Sequence, residues 1–181
     1  MPGLDVARVL RNTRDLLNSG GRHWVKGDLR IEINKDVIRH RDAGDYDNRS
    51  ISPKAQVGDV GFCLWGGLKE VADSHELQIE AMEALVQIID PLAYENYMYY
   101  RDECESQYDA EYNYNIDYND GYRQLYPTFN VYWGELLEER EETLGDIIAT
   151  WNDADTRMWN EVRDSLDRAA AKCKKVNVVT T

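Results

Sequence analysis

Residues 144–173 read LGDIIATWNDADTRMWNEVRDSLDRAAAKC. Leu144, Ile147, Ile148 and Trp151 fall at i, i+3, i+4 and i+7, the spacing of one helix face. Asn152-Asp153-Ala154-Asp155 breaks that stripe, and a second one runs through Trp159, Val162, Leu166, Ala169 and Cys173. Two amphipathic helices joined by a short turn must bury their stripes against each other and against further helices. The reading is therefore a mainly α chain, a single-domain helical bundle of about five helices with a minor β element. Trp151 is expected in the core, with Asn152 or Asp153 closing one helix and starting the next.

Working outward, Val6, Leu10, Thr13 and Leu17 make an N-terminal stripe that Asn18-Ser19-Gly20-Gly21 stops. Leu29-Arg30-Ile31-Glu32-Ile33 alternates with period two, as a short half-buried strand does. Asp36 to Pro53 is polar and reads as loop. From Val57, the residues Val60, Leu64, Leu68 and Val71 suit one helix face despite Gly58, Gly61, Gly66 and Gly67. Gly66 and Gly67 are expected where another backbone comes close. Asp73 with Glu76 resembles a capping box ahead of a stripe at Leu77, Ala81, Ala84, Leu85 and Ile88, which Asp90-Pro91 ends. Lys172, Lys174 and Lys175 suit a helix C-terminus, before a frayed tail from Val176.

The segment 92–133 differs from its flanks and reads as an insertion within one domain covering 1–181. Ten of the twelve tyrosines lie between Tyr94 and Tyr126, and from Asp90 to Asn130 nine acids face only Arg101 and Arg123. Tyr94 to Tyr108 could continue as helix. Residues 112–121 alternate aromatic with polar and end in Asp120-Gly121, the pattern of an extended arm and turn.

At 181 residues, with 43% apolar composition and a mean hydropathy of −0.66, the chain has room for one globular core without disulfides. The 34 acidic and 21 basic side chains give a formal charge of −13, which disfavours direct nucleic-acid binding because phosphate neutralisation needs clustered Lys and Arg. No apolar run approaches the ~20 residues a bilayer needs, and Met1 to Leu17 has no apolar stretch of signal-peptide type, so the cytoplasm is the expected compartment. Cys63, Cys104 and Cys173 are odd in number and far apart, indicating neither a disulfide framework nor a thiolate zinc site.

Three local patterns in order bring a family resemblance. They are Gly21-Arg22-His23-Trp24-Val25-Lys26-Gly27, then Phe62-Cys63-Leu64-Trp65-Gly66-Gly67-Leu68 with Ala72, then Ile147 to Asp153 followed by Glu161-Val162 and Leu166-Asp167-Arg168-Ala169. Together, over roughly residues 4–89 and 142–175, they resemble a family of small uncharacterised proteins of actinobacteria and their bacteriophages. Members of that family show Gly-Trp-x-x-Gly, Cys-x-x-Gly-Ala-Leu, and Trp-Asn-Asp followed by an Arg-Thr turn. Gly67 departs from the usual alanine, and Ala154-Asp155-Thr156-Arg157 departs from the turn. The resemblance implies a compact helical fold and a phage or actinobacterial origin, and it carries no activity, cofactor or site.

Cys63 is the one candidate for catalysis, since a thiol near a helix N-terminus can ionise and attack. Gln56 precedes it, but not at the papain-like spacing, and no base is adjacent: His75 lies across a helix break, and His23 and His40 could meet Cys63 only through the fold. The alternative is a small buried packing residue. Asn115, Asp117 and Asn119 space oxygens like the start of a calcium loop, but Asp120 and Tyr126 stand where glycine and glutamate should be. Asp42, Asp45 and Asp47 are equally loose. Neither a metal nor a cofactor is expected, and no phosphate loop, HExxH or GxSxG occurs.

Carboxylates among tyrosines can occupy a basic groove, the tyrosines supplying rigid contact area. The expected function is a non-enzymatic acidic binding protein. Its partner surface would comprise Asp109, Glu111, Tyr112, Tyr114, Asp117, Tyr118, Asp120 and Tyr122, engaging a basic protein surface such as that of a host nucleic-acid-binding protein. The alternatives are a cysteine-dependent hydrolase using Cys63 and a virion or assembly component. If the tyrosines instead pack on one another, the segment is simply a solvated insertion.

Overall fold

The computed structural model describes residues 2–18, 22–43, 51, 54–102, 106 and 128–176. In chain order these form α1 (Pro2–Leu16), β1 (Arg22–Trp24), β2 (Arg30–Glu32), α2 (Lys35–Ala43), β3 (Val60–Phe62), α3 (Leu64–Val71), α4 (His75–Ile89), α5 (91–102), α6 (Thr128–Asp153) and α7 (Trp159–Val176). The mainly α, single-domain reading holds.

α4 is the central helix, touching α1, α3, α6 and α7. Its inner face, Ile79, Ala81, Met82, Leu85 and Val86, meets Val6, Val9, Leu10 and Leu17 of the N-terminal segment. Leu144 and Ile148 of α6 and Val162, Leu166 and Ala169 of α7 complete this core. Each fully buried Leu, Ile or Met there contributes roughly 1.5–3 kcal/mol. The stripes quoted for α1, α6 and α7 are buried or half-buried here, whereas on α4 only Ala81 and Leu85 of the quoted stripe are buried, Leu77, Ala84 and Ile88 being half-buried beside Ile79, Met82 and Val86.

Two segments read as something else fold differently. β3 occupies Val60–Phe62, so the stretch from Val57 is not one helix; the apolar run hid a change of period at Cys63. β3 is the central strand of a three-stranded sheet, parallel to β1 and antiparallel to β2, with Gly61 opposite both His23 and Ile31. A Cβ at Gly61 would lie 2.5 Å from Val25 Cγ1, which is why glycine stands there. The strand expected near Leu29–Ile33 is β2, but it is the edge of a sheet whose other two strands, β3 beside it and β1 beyond, periodicity did not show.

The segment from Asp36, read as loop, begins with α2. Asn34 starts it, its Oδ1 accepting from the backbone N–H groups of Asp36 and Val37. Val37 and Ile38 then pack against a second, smaller core of Val25, Ile33, Ile51 and Ala55. The cap of α4 is Ser74, not Asp73: its side chain accepts from Leu77 N at 3.2 Å, while Asp73 pairs with Arg8.

Both ends of the segment 92–133 belong to helices, α5 and the start of α6. Within α5, Tyr97 is buried in the main core, with Tyr94 and Met98 packed on it. The Tyr97 hydroxyl donates to Glu83 Oε1 at 2.7 Å and accepts from Arg140 Nε at 3.1 Å, and Arg140 also bonds Glu83. Burial and the neighbouring carboxylate both push the Tyr97 hydroxyl's pKa up, so it stays protonated as a donor.

Candidate functional site

The three motifs meet in space. Asn152, fully buried, accepts from Trp24 Nε1 at 2.7 Å and donates to Val25 O at 3.2 Å. Asp153 Oδ1 accepts from Gly27 N, and the ammonium of buried Lys26 donates to Ala154 O at 2.6 Å. Arg157 lies over the Trp151 ring, 3.7 Å from its centroid. Every polar group named here is paired with protein, so the Trp-Asn-Asp turn clamps the sheet to the end of α6.

Cys63 belongs to the same clamp. It is buried, stands as the N-cap of α3, and its Sγ accepts from Gly66 N at 3.3 Å. Burial pushes its thiol pKa up, outweighing the N–H groups of Gly66 and Trp65 that would lower it. A thiol so placed is a packing and capping group. His23, one of the three conceivable bases, is engaged with Asp59 at 2.8 Å. Gly66 faces not a helix but the chain before β2, where a Cβ would fall 1.8 Å from Leu29 O; Gly67 faces Thr13 and Leu17.

The expected partner residues Asp109, Glu111, Tyr112, Tyr114, Asp117, Tyr118, Asp120 and Tyr122 lie outside the described residues, as do Cys104, Asp45, Asp47 and the calcium-like stretch 115–119. The described portion that leads into them is α5. Its outer side shows Leu92, 68% exposed, and Tyr99, 75% exposed, beside Glu95 and Asp102.

A site that sequence reading missed lies between α3, α4 and α6. A cavity of about 700 Å³ is lined by Leu29, Trp65, Lys69, His75, Gln78 and, from α6, Glu138, Glu141 and Glu142, with Ala72 and Ser74 completing it. Its floor is Glu141, only 8% exposed. Glu141 Oε1 accepts from Lys69 Nζ at 2.9 Å and Trp65 Nε1 at 3.2 Å, and Oε2 is 2.8 Å from His75 Nε2. Burial alone would raise this carboxyl's pKa, but hydrogen bonds from Lys69 and Gln78, the Lys69 charge and His75 together hold it below the usual value. Trp65 reaches it by lying across Gly145, where any Cβ would meet Trp65 Cζ2 at 2.6 Å.

A signal for Glu141 did exist in the sequence. It falls between Leu137 and Leu144 at i+4 and then i+3, a register position where a bundle helix should carry an apolar residue. Among the described residues no group of His, Cys, Asp and Glu side chains has the geometry to hold a metal ion, and no helix is long and apolar enough to cross a membrane.

A family model described as a family of unknown function (DUF6197) matches residues 1–172. No curated protein and no solved structure matches.

Proposed function

The chain belongs to this family of unknown function, DUF6197, and we propose that it is a non-enzymatic binding protein whose acidic, tyrosine-rich segment engages a basic protein surface. The observation that carries the reading is the outer side of α5, where Leu92 and Tyr99 stand in water at the entry to a stretch rich in acids and tyrosines. Exposed aromatic and apolar side chains beside carboxylates are the composition of a contact surface, with charge for steering and rings for contact. The buried thiol of Cys63, engaged as the N-cap of α3, supports a reading without nucleophilic catalysis. The motif resemblance adds a setting: an actinobacterial or phage-encoded protein acting in the host cytoplasm on a basic host protein, such as one that binds nucleic acid.

The test is capture from a host lysate by the full chain and by a variant with Asp109, Glu111, Asp117 and Asp120 changed to Asn or Gln. A basic protein retained by the native chain, lost in the variant and released by moderate salt is the expected result. Equal retention by both, insensitive to salt, overturns the reading.

A further inference from the structure

We infer that the cavity between α3, α4 and α6 is a seat for a guanidinium group carried on an alkyl stem. The inference goes beyond the surface proposed above, since it is argued from lining residues that all lie outside the segment 103–127.

The first argument is charge. Glu138, Glu141 and Glu142 line one wall, while Lys69 is the only permanent cation among the described lining residues. Lys69 and His75 are both spent on Glu141. Glu138 and Glu142, both exposed, form no ion pair or hydrogen bond with any described residue. They stand at i and i+4 on α6, where like charges repel and weaken the helix. Three carboxylates outnumber Lys69 and His75 even if both are charged, so an anionic ligand is repelled and a cationic one attracted.

The second argument is independent of the carboxylates. Gln78 lines the cavity and is 95% buried as a residue, being only 5% exposed. Its amide nitrogen lies 3.6 Å from Met82 Sδ and its amide is also turned to Glu141, whereas its carbonyl oxygen accepts from no described residue. That oxygen keeps access to solvent, so it is an acceptor that a donor entering the cavity can meet.

Shape selects guanidinium over a compact ammonium. The planar fork offers five N–H donors, enough to meet Gln78 Oε1 and both rim carboxylates at once. The Trp65 ring, half-buried, gives a flat surface of the kind on which guanidinium stacks, as Arg157 does on Trp151 in this same fold. Leu29, 43% exposed at the cavity, offers apolar contact to a methylene stem.

The experiment titrates the full-length protein with N-acetyl-arginine amide, with its neutral ureido isostere N-acetyl-citrulline amide, and with a short glycine peptide bearing one arginine. Calorimetry reads affinity, and nitrogen–proton spectra follow the Trp65 indole and Gln78 amide signals. The expected result is binding of the arginine probe that shifts both signals and is weakened about tenfold or more in citrulline and in the double variant Glu138→Gln, Glu142→Gln. That variant relieves a repulsion between exposed groups and should unfold no more readily than the native chain. Equal affinity of arginine and citrulline, an unchanged affinity in the folded double variant, or shifts confined to other residues each overturn the inference. Comparable affinity for the blocked amino acid and the peptide identifies a small free ligand, whereas a clear gain with the peptide identifies an arginine side chain of a partner.

Discussion

At the scale of single residues, the described core is held by polar groups placed where apolar ones are expected. Asn152 serves Trp24 and Val25 at once, so Asn152→Ala leaves an indole N–H and a carbonyl without partners and should cost about 2–4 kcal/mol, read from urea unfolding. Cys63→Ala removes a small buried group and a weak cap, at about 1 kcal/mol, and the native thiol should react slowly with a thiolate-selective probe near neutral pH. Rapid labelling of Cys63 would return the hydrolase to consideration. Glu141 adds a pH dependence with a definite sign. Its carboxyl in the folded protein sits below the ordinary value of 4.5, so the unfolded chain binds the proton more readily. Its contribution to stability is therefore complete above that ordinary value and is lost as pH falls through the lower folded one. Glu141→Gln should flatten this acid limb in urea melts taken from neutrality downwards; an unchanged slope would mean other carboxylates carry it.

At the scale of elements, α5 decides how much of the segment 92–133 is separable from the bundle. Tyr97 is buried and joins Glu83 to Arg140, so Tyr97→Phe should lower stability by about 1–2 kcal/mol. Replacing residues 107–127 by a glycine-serine linker of equal length removes none of these contacts and should keep a cooperative thermal transition. Starting the replacement at Tyr94 also strips Tyr94, Tyr97 and Met98 from the main core and should lower the midpoint much further. Equal midpoints for the two replacements would show α5 to be dispensable. α3 makes the complementary point: with Leu29 O 1.8 Å from where a Cβ would sit, Gly66→Ala must displace the chain before β2 or the helix itself.

At the scale of the whole molecule, a formal charge of −13 repels itself, while the ion pairs at Arg8–Asp73 and Arg14–Asp167 lie at the surface, exposed or partly exposed, and are worth little each. Screening should therefore raise the thermal midpoint as salt is added, and a falling midpoint would show that the surface pairs outweigh the repulsion. What residue order determined alone is the helical bundle: the stripes at Val6 to Leu17, Leu77 to Ile88, Leu144 to Trp151 and Trp159 to Cys173 are local patterns of period 3.6, and a local pattern needs no partner to be legible. The glycines of α3 were legible as points of close approach for the same reason. What only the tertiary structure decided is everything set by a distant partner. β3 is a strand because β1 and β2 flank it, α2 is a helix because Val37 and Ile38 find the small core under the sheet, and Asn152 is buried because Trp24, 128 residues away in sequence, needs an acceptor. The cavity is of this second kind. Glu141 stood out only as a charge in an apolar register, and its meaning came from Lys69 and His75, which α3 and α4 bring to it from about seventy residues away. Long-range pairing leaves no periodic trace in the chain, because the two halves of each contact are free to lie anywhere in sequence.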